Sequence, residues 1–241
     1  MRTTKAPDPT APAPAVVRQA LIAAAERQLA ASPDADIATR AVCEEAGVTQ
    51  PVLYRLFGDK RGLLDAVADA GFERYARRKG DLESTADPVA DLHAGWDDHM
   101  AFAADNPALY QLMFAPRPNS AAHAYPRILQ LLEATLLRCA AAGALRVTPH
   151  QAAQLILPAN IGVALSQIAQ PALFADPALS HRARDAVFAA VLTDARVASG
   201  PDPVAAAARQ LRSQLELAGT PALAPAEKAL LEVWLERIET V

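Results

Sequence analysis

The chain is poor in cysteine, in aromatic residues and in any pattern that would make a strand. Its two cysteines, Cys43 and Cys139, lie far apart and belong to no ligand-like cluster, so nothing suggests a disulfide-stapled secreted scaffold or a thiolate metal site. Aromatic side chains make up 5% of the residues. β-Branched ones are also thin, and no segment alternates apolar and polar residues over a strand length, which removes the usual basis for a sheet. There is no glycine-rich phosphate loop, no nucleophile elbow and no HExxH or ExxH pair, so no reaction type, cofactor or metal is indicated. No apolar run approaches the roughly 20 residues that span a bilayer. Residues 1–14, rich in Ala, Pro and Thr, lack the apolar core of a secretion signal. The expected protein is a non-enzyme of the cytoplasm with no membrane partner.

What the chain has is alanine, leucine and proline. Hydrophobic residues make up 52% of it. Alanine and leucine favour helices, and almost every long segment repeats its apolar residues every three to four positions, so the expected class is all-α. Proline acts as punctuation. Asp87-Pro88, Asn106-Pro107, Thr148-Pro149, Asp176-Pro177 and Asp202-Pro203 each set a capping side chain before a proline. Proline suits the first helical position because its missing N–H had no intrahelical partner there. Gly143, Gly200 and Gly219 are suited to helix stops. Helices are expected near 15–31, 39–46, 50–57, 60–78, 88–104, 107–114, 121–142, 149–170, 177–198, 203–218 and 225–240. The poorly patterned Lys79–Asp87 stretch divides the chain into a disordered tail (1–14), a small helical domain (15–79) and a larger helical domain (80–241). An extension of unassigned purpose begins at about residue 200.

The net charge of −4 hides an uneven distribution. Residues 1–80 hold 12 Lys and Arg against 10 Asp and Glu, and residues 81–241 hold 11 against 17. A slightly basic module on an acidic body fits local binding to phosphate.

The stretch from Ala38 to Lys60 carries the most information. Ala46-Gly47-Val48 can end one short helix in a tight turn, and Thr49 can cap the next. Val42, Ala46, Val48, Leu53 and Phe57 supply the apolar contacts that hold two helices at a steep angle. These are the requirements of a helix-turn-helix. The Ala-Gly-Val turn, the Leu53-Tyr54 pair, Phe57 and Lys60 give residues 15–78 a spacing that resembles the tetracycline-repressor family of bacterial transcription regulators. Thr39-Arg40 and Gln50-Pro51 bring it near the tetracycline repressors proper. The resemblance implies a homodimer that binds operator double-stranded DNA through its small domain. Repression is the family default, with release when a small-molecule effector fills the larger domain.

On the matching positions the chemistry agrees. Thr39 and Lys60 at helix starts, and Tyr54 through its phenol, suit phosphate contacts. Arg40 suits guanine and Gln50 adenine through paired hydrogen bonds, while Pro51 and Val52 suit thymine methyl groups. Thr49 joins this set at the helix cap, and Arg55 suits either backbone or base. The side chain of Leu56 cannot hydrogen-bond, so this position offers no polar readout. Arg77, Arg78 and Lys79 read as a solvated helix end.

In the larger domain the 149–170 helix is apolar nearly all round and must be buried on several sides. With the 177–198 helix it forms the expected dimer interface, and Pro158 predicts a kink. His93, Trp96, His99 and Met100 share a helix and are candidate pocket residues, together with Tyr110, Met113, Phe114 and Asn160. Asn160 qualifies because an amide in an apolar helix must find a partner or a ligand. Such a lining suggests a hydrophobic or weakly polar effector. The 107–114 helix is the expected moving part, transmitting ligand binding to the 60–78 helix. Two other readings stay open: a metal held where His93, Asp97, Asp98 and His99 crowd together, and a helical adaptor that binds another protein and no small molecule.

Overall fold

A computed structural model describes residues 13–32, 36–115, 125–193, 203–219 and 223–239. Among them the chain forms eleven helices. In order these are α1 (Pro14–Ala31), α2 (Thr39–Glu45), α3 (Gln50–Phe57), α4 (Lys60–Gly80), α5 (Pro88–Asp105), α6 (Pro107–Phe114), α7 (Tyr125–Ala141), α8 (Pro149–Ala169), α9 (Leu179–Val191), α10 (Pro203–Ala218) and α11 (Pro225–Glu239). The described residues contain no strand, only one antiparallel bridge between Leu145 and Leu192. The all-α expectation holds. Nearly all of the expected N-terminal tail, with Gly200 and Asp202, lies outside the described residues.

The proline punctuation works through different bonds at different sites. Asp87 Oδ1 accepts from the N–H groups of Val89 and Ala90, both at 3.0 Å. Thr148 forms a capping box with Gln151. Thr49 and Asn106 precede their helices without a side-chain cap bond, contrary to expectation. At Thr49 the backbone carbonyl accepts from Val52 N–H at 3.0 Å, and the side chain stays exposed. The helix expected over 177–198 is shorter. Asp176 Oδ1 accepts from Ala178 N–H at 2.9 Å, and the chain leaves the helix at Leu192 in an extended conformation to pair with Leu145.

α8 bears on the membrane expectation. α8 has 21 residues, a mean hydropathy of 1.4 over its best 18-residue window, and 39% of that window buried. It is the one described helix long and apolar enough to cross a bilayer by length and composition. His150, Gln151, Gln154 and Asn160 interrupt the apolar run, but none of its 21 residues is Asp, Glu, Lys or Arg, so the average stays high.

Two compact units divide the chain. The first takes residues up to Glu73 together with the segment from Asn106 to His123, and the second takes the remainder. This differs from the expected cut at 79/80: α6 packs with α1 in the first unit, and Tyr75, Arg78 and Lys79 at the end of α4 bond to α5 in the second. Gly71 of α4 makes room for α6. A Cβ there would lie 2.9 Å from Met113 Sδ and 3.0 Å from Leu109 Cδ1. In the first unit Leu21, Leu29, Val42, Leu53, Leu63, Val67 and Phe72 are almost fully buried, and Phe72 meets Phe114 edge-on at 5.3 Å. In the second, α5, α7, α8 and α9 share a core that includes Leu92, Trp96, Leu136, Ile156, Phe188 and Val191. α10 packs on α7 and α11 on α10.

Candidate nucleic-acid interface and effector cavity

In the first unit, α2 ends because Gly47 takes φ of 67°, a left-handed conformation that any Cβ would penalise. Val48 N–H then bonds the Cys43 carbonyl at 2.9 Å, and Gly47 N–H bonds that of Glu44 at 3.2 Å. This crossed pair is a Schellman closure, which satisfies carbonyls that the helix end leaves free. Val42 and Leu53 are fully buried between the two helices. Phe57 is half-buried, with the Arg18 guanidinium 4.9 Å from its ring centre.

The polar tips fall outside this apolar seam. Arg40, Thr49, Gln50, Pro51, Tyr54 and Arg55 are exposed, and Thr39 and Val52 are half-buried. Gln50 Nε2 reaches Thr39 Oγ1 at 3.5 Å, so the starts of α2 and α3 lie side by side. Arg40 is held by Glu44 one turn on, at 3.0 Å, with its side chain 84% exposed. Lys60 pairs with Asp36 at 2.6 Å, and that hydrogen bond is the chief reason the Asp36 carboxyl sits below its ordinary range. Asp59 caps α4, accepting from Gly62 N–H at 2.8 Å.

The second unit encloses a cavity of about 120 Å³ between α4, α5, α7 and α8. Leu92, Trp96, Ile128, Leu132, Ile156 and Leu157 make its apolar wall, while Leu82, Glu83 and Ser84 stand at an exposed rim. Tyr75 and His99 are buried in the wall, with Tyr75 Oη and His99 Nδ1 2.5 Å apart. Burial, and then the nearby Lys79 charge, pushes His99 down to about 3, so its ring is neutral. Lys79 Nζ lies 2.8 Å from Asp98 Oδ2 and donates to the Gly95 carbonyl at 2.5 Å. Burial lowers its pKa, opposed by Asp98. Arg138 pairs with Asp91 at 2.7 Å. Asp91 lies below its usual range because it accepts from the Thr85 hydroxyl and then from Arg138.

Of the eight expected pocket residues, Trp96, His99 and Asn160 line this cavity. Tyr110, Met113 and Phe114 are buried in α6 and belong to the first unit. His93 lies against Phe188, ring centres 4.8 Å apart, and Met100 packs against the second unit's core. The supposed solvated end of α4 is also corrected. Arg77 is exposed, but Lys79 is buried to 12% side-chain exposure by its bonds to Asp98 and Gly95. Tyr75 and Lys79 join the lining without belonging to the expected set; a lysine four positions after a tyrosine, on one helix face, is the signal the sequence offers. His93, Asp97, Asp98 and His99 do not converge as a metal site would require. Asp97 faces Arg184, Asp98 faces Lys79, and His99 faces Tyr75.

Two short helices across a glycine turn, with an apolar seam and exposed polar tips, define the first unit as a helix-turn-helix DNA-binding domain. Residues 21–67 match the family model described as bacterial regulatory proteins, tetR family. Over that segment the chain is similar to this family. No curated protein sequence matches it. Among solved structures it shares its fold with a protein of unknown function from Rhodococcus sp. RHA1, at TM-score 0.61 and 24% identity over 73% of this chain and 96% of that one. It also resembles SmeT, repressor of the SmeDEF multidrug efflux pump of Stenotrophomonas maltophilia. There the TM-score is 0.59 and the identity 22%, over 74% of this chain and 91% of SmeT. A complex of SmeT with triclosan matches at TM-score 0.54 and 23% identity, over 74% and 93%. NalD of Pseudomonas aeruginosa, the secondary repressor of the MexAB-OprM multidrug efflux pump, matches at 0.53 and 16%, over 76% and 100%.

Proposed function

We propose that this protein is a homodimeric cytoplasmic transcription regulator, a repressor that leaves its operator when a small molecule occupies the cavity of the second unit. The observation that carries the reading is the row Thr39, Arg40, Gln50, Pro51, Tyr54 and Arg55 at the adjoining starts of α2 and α3, five of the six exposed. These are the positions from which a helix-turn-helix reaches base edges and phosphates. Lys60 would exchange Asp36 for a phosphate. Thr49 and Val52 complete the contact set. In this reading residues 15–79 bind DNA and residues 80–241 sense and dimerise, with Tyr75 and Lys79 at the end of α4 also serving the sensing cavity.

Support for the sensing role comes from the cavity itself and from SmeT, a protein of this fold that has been solved with triclosan. α4 suits the coupling. It begins at Lys60 beside the recognition helix and ends with Tyr75 and Lys79 in the cavity wall. It replaces α6 as the element through which a ligand would act. A differential affinity of about 1–3 kcal/mol between the two states is enough for a useful switch.

The test is binding to duplex DNA from the gene's own promoter region against a shuffled duplex, across salt concentrations. The wild type should prefer the promoter. Gln50→Ala should lose roughly 1–3 kcal/mol at the operator and relax its preference at one base position. Tyr54→Phe should weaken binding to both duplexes alike. Wild-type behaviour of both variants on both duplexes would remove α3 from the interface.

A further inference from the structure

The cavity's chemistry narrows the ligand further than "hydrophobic or weakly polar". Asn160 is 5% exposed and lines the cavity, and its Oδ1 has no hydrogen-bond partner. It stands on a helix that is otherwise apolar around it, with Ile156, Leu157, Ile161 and Ala164 buried beside it. A buried carbonyl oxygen that has given up water without gaining a donor is costly, and a cavity lined by its residue favours an occupant that brings a donor.

The charged groups of the wall already have partners. Lys79 is held by Asp98 and Arg138 by Asp91, so an anion would have to break an ion pair to find a cation. Tyr75 and His99 bind each other. Trp96 offers an apolar ring, because its indole N–H donates to Ser180 Oγ at 2.9 Å. Size adds a limit. The volume is about 120 Å³, and an apolar cavity of about 150 Å³ takes one benzene molecule. The enclosed part therefore accommodates a single ring, with any substituent directed to the Leu82–Ser84 rim.

We propose that this cavity binds an uncharged, single-ring aromatic compound carrying one hydrogen-bond donor, phenol being the simplest, with the donor bonded to Asn160 Oδ1. The assignment deepens the effector reading above, and it rests on that reading only for its biological use. Ligand binding and DNA binding can be measured separately.

Trp96 and Trp234 are the two tryptophans of the chain. In the full-length Trp234→Phe protein, emission reports from Trp96 in the cavity wall. Titration at neutral pH with phenol, toluene and benzoate should give a phenol affinity at least tenfold above that of toluene, a near-isostere without a donor, and no saturable change with benzoate. Asn160→Leu, its helicity checked by circular dichroism, should bring phenol and toluene to equal affinity. Toluene matching phenol in the parent protein, tighter binding of benzoate, or a phenol preference that survives Asn160→Leu would each overturn the proposal. If Asn160→Leu does not fold, the parent's ranking of the three probes decides alone. Promoter-duplex binding, measured with and without phenol, tests the regulator reading separately. Saturable phenol binding that leaves DNA affinity unchanged upholds the cavity's chemistry and refutes its effector role, whereas phenol-insensitive Trp96 emission in a DNA-binding protein refutes the cavity's chemistry alone.

Discussion

His99 shows how a single buried side chain couples this fold to pH. It is 2% exposed, joined to Tyr75 at 2.5 Å, and flanked by the Lys79–Asp98 pair. Its pKa lies at about 3 in the folded protein, mainly because burial disfavours the imidazolium, against about 6.5 in an unfolded chain. The unfolded state therefore binds the proton first. The stability contribution is full above pH 6.5 and is lost as pH falls from there toward 3, at up to about 1.4 kcal/mol per pH unit. Urea denaturation should show wild type losing stability between pH 6.5 and 5 more steeply than His99→Phe, although the variant is weaker at pH 7 because the Tyr75–His99 bond is lost. Parallel pH profiles would mean that His99 protonates freely in the fold. His93, also shifted down by burial and then by Arg184, is present in both proteins and cancels from the comparison.

Two glycines define the helix-turn-helix at the scale of its elements, for different reasons. Gly47 needs only its backbone angle, since a Cβ there meets nothing within 4 Å. Gly62 has an ordinary helical backbone, but its added Cβ would lie 2.0 Å from the Phe57 carbonyl oxygen. Gly47→Ala should therefore cost about 1–2 kcal/mol, the penalty of a left-handed alanine. Gly62→Ala should cost more, about 3 kcal/mol, because the start of α4 must move away from the end of α3. Thermal melting should rank the two in that order, and the reverse order would contradict the close approach of α3 and α4. Gly47 was legible in sequence because a turn motif advertises itself locally. Gly62 was not, because the atom it must avoid is placed there by the path of the chain after Phe57.

For the molecule as a whole, the proposed dimer rests on α8 and α9. Leu155 on α8 is 50% exposed, and Gly162, Ala186, Ala189 and Ala190 also face out in the single chain. Small residues let helices approach closely, and an exposed leucine among them is suited to a partner helix. Leu155→Glu should convert a dimer into a monomer at micromolar concentration in sedimentation, and should weaken operator binding by an order of magnitude or more because two half-sites then bind independently. A variant that stays dimeric would exclude this face.

By itself the sequence determined the helical class, most of the helix limits and the helix-turn-helix segment. Those depend on near neighbours: a 3.6-residue period, a proline at the first turn, a glycine in a left-handed turn. It also marked Trp96, His99 and Asn160, because each is unusual for its own helix. Only the tertiary structure decided that Tyr75 and Lys79 join them in a cavity wall, that Arg138 and Asp91 neutralise each other beside it, and that Tyr110, Met113 and Phe114 belong elsewhere. Cavity walls and charge pairs are made by residues distant in the chain, and their partners are chosen by packing.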